Sequence, residues 1–476
     1  MTNPRTQSRA AETTSASPAG PAVHVVTFGC QMNKYDSLLV EGRFQRRGYR
    51  VAPSMEDADV VLFNTCSVRE HAEERAISWV GELKRVKAAR PELVVGVMGC
   101  YAQRAEEEIL QRAAHVDVVC GTRRFQHLPE LVDEVRRRRA DPDVRRRDER
   151  LVDTGMDDAV EVGREAEPYT GGLAGYLAVM RGCDLSCSFC IVPTTRGRVQ
   201  SRPVPALVDE ARWMVDQGCR AITLLGQTVN SYGEDLEPAG MLGRRGRPSL
   251  ADLIRELQEV DGLERIRLIT LAPAYVNRAL AEAIRDCDKA ERFLPLPAQS
   301  GSDRVLKGMR RGYSSELYRK KVELLREVVP DLELGSDWIV GFPTEGEEDF
   351  QKTEALLADV GYAQGYVFKY DPRPGTQAAD LEDDVDTATK KERNQRLLRA
   401  VERSGLRRHE AHIGQLRRVF VEEVWEKDAA IVRGRTEHGL SCSLKGGEEL
   451  IGTTQSVRVL EASPFGLAGE LEVAGD

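Results

Sequence analysis

The sequence predicts an α/β protein built from three folded parts, and three observations support that prediction. In the first 120 residues, apolar stretches alternate with helical segments, which is typical of an open parallel α/β sheet. Six further strand and helix repeats follow and suggest a partial (β/α)6 barrel. From about residue 412 the pattern changes to short strands separated by glycine-rich turns, which is typical of a small, OB-like all-β barrel.

Length and composition indicate a soluble protein with more than one core. The chain has 476 residues, of which 41% are hydrophobic and 30% charged, and its net charge of −9 argues against attraction of nucleic acid by the whole surface. No apolar run approaches the roughly 20 residues of a membrane span. Ten cysteines are too few for a disulfide scaffold, so we expect reduced thiols and a cytoplasmic protein that does not bind membranes.

Changes in composition divide the chain into five segments. Residues 1–22 are small and polar and predict a disordered tail. We expect the N-terminal α/β domain at 23–140 and a charged linker at 141–169. The barrel should then span 170–411, and the small β domain 412–476.

Three strand-like stretches of the N-terminal domain each run into a cysteine. "VHVVTFGC" leads to Cys30, "DADVVLFNTC" to Cys66 and "ELVVGVMGC" to Cys100, with helical segments at 34–47 and 70–90 between them. Ligands of parallel α/β sheets bind beside the carboxyl ends of the strands, so the three thiols should face one another. Ordinary buried cysteines are the alternative, but the shared position at strand ends favours a second three-thiolate site.

The barrel segment repeats strands and amphipathic helices. After "GYLAVM", the predicted strands are "AITLLG", "RIRLITL", "FLPLP", "LELGSDWIVGF" and "GYVFKY", and helical stretches include 206–217 and 347–359. Such barrels carry their chemistry at the carboxyl ends of the strands. The loop after the first strand is therefore the expected place for a site.

That first loop contains "GCDLSCSFC", with Cys183, Cys187 and Cys190. A structural zinc site would need a fourth ligand, and no further cysteine or histidine stands nearby. A 4Fe-4S cubane is normally held by four thiolates, so three thiolates leave one iron open. S-adenosylmethionine (SAM) can fill that position through its amino and carboxylate groups, and one electron then cleaves its S–C bond to give a 5′-deoxyadenosyl radical.

The spacing CxxxCxxC, with Phe189 before its last cysteine, resembles the signature of the radical SAM superfamily. Further stretches extend the resemblance: "TFGCQMNKYDS", "NTCSVRE", "GCYAQR", "GYLAVMRGCDLSCSFCIVPTTRG", "LLGQTVNSYG", "LPAQSGSDRVLKGMRRGY", "SDWIVGFPTE" and "YDPRPGT". Together they resemble the methylthiotransferase family within that superfamily, and "GCQMN", "NTCSVRE" and "GQTVNSYG" are close to its MiaB type, the tRNA-2-methylthio-N6-dimethylallyladenosine synthases. The resemblance extends from about residue 23 to the end, where the β domain looks like a TRAM domain.

The resemblance implies a reaction and its cofactors. A methylthio group would be placed on C2 of the adenosine just 3′ of the tRNA anticodon, already isopentenylated on N6, and two SAM molecules would be used. It implies two 4Fe-4S clusters: one that binds SAM on Cys183, Cys187 and Cys190, and an auxiliary one for sulfur insertion on Cys30, Cys66 and Cys100. The implied partners are the anticodon stem-loop of tRNA and an electron donor such as flavodoxin or ferredoxin.

Other residues receive roles by the same resemblance. The SAM pocket should be lined by Phe189, Gly226, Gln227, Ser300 and Gly341, although the glycines could instead serve tight turns. Contacts to RNA phosphates are expected from Arg196, Arg198, Arg310, Arg311, Arg433 and Arg435, with a solvated surface as the alternative.

One stretch departs from the family. Residues 270–273 read "TLAP", where the family commonly has a Ser-x-His-Pro-like sequence, so a polar group near the active site is missing. Threonylcarbamoyladenosine in tRNA and a ribosomal protein aspartate are therefore alternative substrates, although "GCQMN" argues against both. In a different class, the chain would be a non-catalytic iron-sulfur sensor or carrier that binds RNA. Formation of 5′-deoxyadenosine from SAM would distinguish an enzyme from such a carrier.

Overall fold

The computed structural model of the chain describes five stretches: residues 20–67, 70–145, 149–156, 172–237 and 246–472. The predicted tail, apart from its last three residues, and most of the predicted linker lie outside these stretches. Within them, no helix combines the length and the apolar character needed to cross a membrane.

The N-terminal domain is a parallel sheet covered by helices on both faces. Its strands are β1 (Ala22–Thr27), β2 (Arg50–Val51), β3 (Val60–Thr65), β4 (Val94–Gly99), β5 (Val118–Cys120) and β6 (Leu151–Asp153). Its helices are α1 (Gln31–Arg46), α2 (Glu70–Ala89), α3 (Cys100–Arg104), α4 (Glu106–Arg112) and α5 (Leu128–Ala140). The strand order is β2-β1-β3-β4-β5-β6. Strands β3 and β4 are buried along their whole length, which explains their unbroken apolar runs and confirms the predicted parallel sheet.

The last strand of this sheet corrects the predicted domain boundary. Strand β6 lies within the stretch 141–169, which was predicted to be a linker, but it pairs in parallel with β5. Leu151 donates a backbone hydrogen bond to Asp117, and its side chain packs against the core beneath α5. The N-terminal domain therefore continues to at least Asp153.

The central part consists of parallel strands that alternate with helices. Its strands are β7 (Ala174–Ala178), β8 (Met180–Arg181), β9 (Gln200–Ser201), β10 (Ala221–Leu225), β11 (Arg265–Leu268), β12 (Phe293–Pro295), β13 (Glu333–Val340) and β14 (Gln364–Lys369). The helices are α6 (Val192–Arg196), α7 (Val204–Asp216), α8 (Leu250–Gln258), α9 (Arg278–Asp286), α10 (Asp303–Gly308), α11 (Ser315–Val328), α12 (Glu347–Val360) and α13 (Thr387–Glu410).

These strands form two three-stranded parallel sheets, β7-β10-β11 and β12-β13-β14. A parallel bridge between Ile266 and Ala290 joins the two sheets, so the six strands follow one another in chain order. One apolar core runs beneath all six strands and the surrounding helices. The predicted strand and helix repeats are therefore confirmed.

The C-terminal part is a small β domain, as predicted. Strands β15 (Leu416–Trp425), β16 (Asp428–Arg435), β17 (Ser441–Lys445), β18 (Thr454–Ser463) and β19 (Gly466–Leu471) close into a barrel in the order β15-β16-β17-β19-β18. The domain is fixed to the central part by charged contacts. Arg267 of β11 forms ion pairs with both Glu291 and Glu422, and Glu333 of β13 binds Arg408 and His412.

Candidate functional site

The first group of predicted ligands lies at the carboxyl ends of three neighbouring strands. Cys30 follows β1, Cys66 follows β3 and Cys100 follows β4, and these strands are adjacent in the sheet. Thr65 and Gly99, the residues just before the last two cysteines, are paired across β3 and β4. The sheet topology thus brings together three residues that are about 35 positions apart, as the sequence predicts.

Close backbone packing places the loop of Cys30 against Cys66. Gly29 has φ +129°, and a Cβ atom at this position would lie 2.6 Å from the Cβ of Cys66. Two buried asparagines hold the arrangement: the amide of Asn33 donates to Asn64 Oδ1 at 2.8 Å, and the amide of Asn64 donates to the Asn33 carbonyl at 2.8 Å. Cys30 Sγ lies 3.2 Å from Asn33 Oδ1, so this asparagine pair touches the site directly.

The central domain contributes a charged residue to this first group. Arg196, at the end of α6, is only 4% exposed and its Nη2 donates to Asp36 Oδ2 at 2.9 Å. Burial raises the pKa of Cys100, and the positive charge of Arg196 is the largest influence that opposes this rise. The prediction that Arg196 contacts RNA phosphates is therefore wrong, because its guanidinium faces buried groups between two domains.

The second group of predicted ligands lies in a closed loop after the first central strand. Strands β8 and β9 pair as an antiparallel hairpin and enclose Cys183, Cys187 and Cys190. Gly182 has φ +76°, and a Cβ atom there would collide with the Arg198 carbonyl on the returning chain. Two backbone hydrogen bonds shape the loop, from Cys183 to the Gly197 carbonyl at 3.0 Å and from Cys190 to the Cys187 carbonyl at 3.1 Å.

Polar groups from two other loops reach these sulfurs. Thr228, just after β10, places its hydroxyl 3.3 Å from Cys183 Sγ, and Arg311 Nη1 donates to Cys187 Sγ at 3.1 Å. Burial raises the pKa of Cys183 and raises that of Cys190 to about 12. Since iron binds thiolates, a bound cluster must displace these protons, and Arg311 supplies positive charge that favours the thiolate.

The predicted SAM-pocket residues fall into two sets. Phe189 packs against an apolar cluster around Phe342 and Met309, beside the cysteine loop. Gly226 and Gln227 follow β10, and both amide atoms of Gln227 are buried without a hydrogen-bond partner among the described residues. Such orphaned polar atoms beside Thr228 suit a polar ligand.

The other two predicted pocket residues already have partners within the fold. The Ser300 hydroxyl lies 3.2 Å from Thr353 Oγ1 and accepts from the Ser302 amide at 3.2 Å. Gly341 turns the chain after β13 with φ +70°, and its amide donates to Glu345 at 2.9 Å. These bonds give both residues a structural role that a SAM contact would have to share.

No three His, Cys, Asp or Glu side chains of the described stretches converge as they would around a single metal ion. A cubane makes a different demand, because each thiolate binds a separate iron atom and the sulfurs stay farther apart. Both cysteine groups meet that demand in residue type and in number, and in the second group Arg311 donates to a sulfur atom, as a bound sulfur anion requires. The residues present therefore fit two iron-sulfur clusters.

The remaining arginines predicted to bind RNA differ in exposure. Arg311 is half-buried and bound to Cys187, so it serves the cysteine loop rather than a phosphate. Arg198 has an 89% exposed side chain, and Arg310 and Arg435 are also exposed. Arg433 stacks over the ring of Trp425 at 4.4 Å on the surface of the β domain.

The "TLAP" stretch forms a loop after β11. Thr270 adopts φ +58°, which is uncommon for a threonine and is a local strain of the kind found at functional sites. The next residues are buried, and Asn230 holds the loop with two 2.8 Å hydrogen bonds to the backbone of Ala272. The loop thus keeps its position beside the "GQTVNSYG" stretch without a polar side chain at 271–273.

Sequence reasoning missed four polar residues that touch or orient the cysteines: Asn33, Asp36, Asn64 and Thr228. Each of them lies within six residues of a predicted ligand or immediately after a predicted strand. For Asn64 and Thr228 the available signal was a polar side chain at or just beyond the end of an apolar strand, since such a residue lies next to the site edge of the sheet. Asn33 and Asp36 lie in α1 and gave no such signal.

Comparison with known proteins finds two family models that match parts of the chain. Residues 22–121 match a family model described as Uncharacterized protein family UPF0004, and residues 177–357 match the Radical SAM superfamily. The structure resembles that of the radical S-adenosylmethionine methyltransferase TsrM from Kitasatospora setae, with a TM-score of 0.53 and 15% identity over 76% of this chain and 75% of that chain. At this identity the likeness concerns the fold alone.

Curated relatives match almost the whole chain. A protein of Alkalilimnicola ehrlichii is 40% identical over 94% of this chain and 97% of its own length, and one of Protochlamydia amoebophila is 38% identical over 94% and 96%. Both are named tRNA-2-methylthio-N(6)-dimethylallyladenosine synthase. With the cysteine loop, the strand-end cysteines and this coverage together, the chain belongs to the methylthiotransferase family of radical SAM enzymes.

Proposed function

We propose that this chain adds a methylthio group to C2 of N6-isopentenyladenosine in tRNA, at the position 3′ of the anticodon, with SAM as co-substrate. The observation that carries this proposal is the presence of two separate three-cysteine groups, one on the N-terminal sheet and one in the central domain, with Arg196 reaching from the second to the first. An enzyme that only generated a radical would need one group. The names of the relatives supply the substrate.

The central cysteines would hold the SAM-binding cluster. With three thiolate ligands, such a cluster leaves one iron open for SAM and supplies the electron that cleaves it. Arg311 and Thr228 stabilise the thiolates of Cys187 and Cys183 by hydrogen bonds. The buried amide of Gln227 would bind a polar group of SAM, and Phe189 keeps water from the loop.

The N-terminal cysteines would hold the auxiliary cluster, on which the inserted sulfur is carried. The Asn33 and Asn64 pair fixes two of the three strand ends by hydrogen bonds between buried groups. This rigidity matters, because a sulfur donor and a radical source must reach the same carbon atom.

The RNA surface would include the β domain, which we take to be a TRAM domain. Trp425 offers an aromatic face on which a base can stack, with Arg433 at 4.4 Å and Lys427 at 6.0 Å from its ring. Exposed Arg198 and Arg310 would bind phosphates near the central site, and Arg435 those at the β domain. A flavodoxin or ferredoxin of the cytoplasm would supply the electron.

The test is a reconstituted anaerobic reaction with SAM and a reductant on three RNAs: isopentenylated tRNA, the same tRNA without the isopentenyl group, and a threonylcarbamoylated tRNA. Mass spectrometry of the digested nucleosides should show a gain of one methylthio group in the first RNA alone. A gain in the third RNA would move the substrate to threonylcarbamoyladenosine. Absence of 5′-deoxyadenosine in all three reactions would contradict an enzymatic role.

A further inference from the structure

A buried carboxylate of the N-terminal domain binds two arginines of the central domain. Asp36, in α1, is fully buried. Its Oδ1 accepts from Arg181 Nη2 at 2.6 Å and its Oδ2 accepts from Arg196 Nη2 at 2.9 Å. The two arginines flank the cysteine loop, one just before Cys183 and the other six residues after Cys190. One carboxylate thus fixes both ends of the loop that holds the second cysteine group.

Backbone contacts add to this connection. Thr122, after β5, donates its hydroxyl to the Thr195 carbonyl, and Arg123 donates to the carbonyls of Arg196 at 3.0 Å and Arg198 at 2.9 Å. The first two carbonyl groups belong to the last turn of α6, and the third lies two residues beyond it. The N-terminal domain therefore holds the end of α6 through one loop, after β5, and through Asp36 of α1.

The charges in this contact do not balance. Arg181 and Arg196 are each 4% exposed, and among the described residues Asp36 is the carboxylate that pairs with both, so one negative charge faces two positive ones. The gap between these arginines, Thr122 and Arg123 has no room for a water molecule. Nη1 of Arg196 is buried and has no hydrogen-bond partner among the described residues. A buried surplus charge is costly unless a negative group lies nearby.

The packing of the two domains also brings α6 against the auxiliary site. Helix α3, which begins at Cys100, packs against α6. Burial lowers the pKa of the Arg196 guanidinium, but the negative charges of Cys100, Asp36 and Cys30 outweigh burial and raise that pKa. Thiolates at Cys30 and Cys100, together with the anionic sulfides of a cluster, would supply the missing negative charge.

We propose that Arg196 is a positioning residue that the central domain supplies to the auxiliary site. Its guanidinium compensates the negative charge of the cluster held by Cys30, Cys66 and Cys100, and Asp36 holds it in place. The reduction potential of the auxiliary cluster then depends on a residue of the other domain. This inference rests on one part of the proposed function, namely that Cys30, Cys66 and Cys100 hold a cluster.

The test measures the reduction potential of the auxiliary cluster without tRNA or SAM. In full-length protein with Cys183, Cys187 and Cys190 all changed to Ala, only the auxiliary cluster should assemble. In that background Arg196→Met should lower the midpoint potential, because removal of a positive charge disfavours added electrons. Asp36→Asn should raise it, because a negative charge is removed. Arg196→Lys should stay close to the parent protein.

Arg212→Met is the control, since this arginine of the same domain has a 60% exposed side chain paired with Asp209 and should leave the potential unchanged. A purely structural role would move the potential in the same direction in both the Arg196→Met and Asp36→Asn variants, or in neither, and would contradict the proposal. Arg196→Met should still fold, because Asp36 keeps its bond to Arg181. If the parent protein binds no iron, there is no auxiliary cluster, and the proposed function is wrong. If it binds iron but Arg196→Met leaves the potential unchanged, only the proposed role of Arg196 is wrong.

Discussion

The two cysteine groups of this chain contain the same number of thiols but are assembled in different ways. Cys183, Cys187 and Cys190 lie within one hairpin-closed loop of the central domain. Cys30, Cys66 and Cys100 come from three separate strand ends of the N-terminal sheet. The first group depends on a local turn, whereas the second depends on the register of three strands. A substitution should therefore disrupt one group and spare the other.

The groups also differ in where their charged neighbours come from. Arg311 reaches Cys187 from the loop after α10 of the same domain. Arg196 reaches the N-terminal group from the other domain. The charged contact to a sulfur of the central group thus comes from its own domain, although Asp36 of the N-terminal domain holds the ends of its loop. The N-terminal group receives its charged neighbour from the other domain. This asymmetry suits a sulfur donor site that has to be held in a fixed place relative to a radical source.

The largest expected effects come from the glycine that shapes each group. Gly182→Ala should remove the central cluster and with it SAM cleavage, whereas Gly29→Ala should remove only the auxiliary cluster. Each alanine would adopt a strained backbone, at a cost of about 2 kcal/mol, and also meet a close neighbour. Iron per chain and 5′-deoxyadenosine formation measure the two outcomes.

Two other glycines provide matched controls for these substitutions. Gly48 and Gly218 also have positive φ angles, but no atom lies within 4 Å of the position that a Cβ would occupy. Gly48→Ala and Gly218→Ala should keep both clusters. If Gly29→Ala also abolished SAM cleavage, the two groups would not be independent.

A smaller effect is expected at Arg311. Arg311→Met removes a charge-assisted hydrogen bond to Cys187 and should slow SAM cleavage in the absence of RNA about tenfold, which corresponds to about 1.4 kcal/mol. The auxiliary cluster should keep its potential. Arg310→Met, at the exposed neighbouring position, should leave the cleavage rate unchanged. An equal loss in both variants would show that the Cys187 contact is not responsible.

The next prediction concerns tRNA binding and leaves SAM cleavage unchanged. Arg433→Ala should weaken tRNA binding about fivefold, a change of about 1 kcal/mol, because it removes a charge and leaves Trp425 without its stacking partner. SAM cleavage without RNA should not change. Arg458→Ala is the control on the same domain, since that arginine is already paired with Glu472 at 2.7 Å. Filter binding at fixed salt measures the tRNA affinity of both variants, and an equal loss in Arg433→Ala and Arg458→Ala would contradict a specific role of Arg433.

The effect of Glu345 should be confined to stability. Burial raises the pKa of Glu345 to about 7, although Arg393 opposes the rise. The folded protein then holds a proton that the unfolded chain releases near pH 4.5, so the associated stability is present below about pH 4.5 and lost as pH rises through about 7. Glu345→Gln should lose less thermal stability than the parent protein between pH 5 and pH 8. A steeper loss of thermal stability in Glu345→Gln would contradict a raised pKa of Glu345 in the folded protein.

Much of the fold was predictable because its signals are local. The apolar runs that end at Cys66 and Cys100 identify buried parallel strands, and from these strands the meeting of distant cysteines follows. Strand β6 was missed because three residues in a charged stretch carry no periodicity, and its pairing with β5 depends on the tertiary fold.

The site was only partly predictable, for a related reason. The spacing of Cys183, Cys187 and Cys190 is a contiguous pattern, whereas the burial of Arg196 results from contact between two domains. An arginine near a cysteine loop gives the same sequence signal whether it binds a phosphate or a buried carboxylate. Only the packing of α6 against α3 decides between these roles.

The most direct test of the division between the two groups compares Cys66→Ala with Cys183→Ala under anaerobic conditions, with SAM, reductant and isopentenylated tRNA. Both 5′-deoxyadenosine and methylthiolated nucleoside are measured by mass spectrometry. Cys183→Ala should form neither product, because it breaks the cysteine group that we propose to hold the SAM-binding cluster. Cys66→Ala should still form 5′-deoxyadenosine but no methylthiolated nucleoside. Methylthiolated tRNA from the Cys66→Ala protein would contradict the account of two cysteine groups with separate tasks.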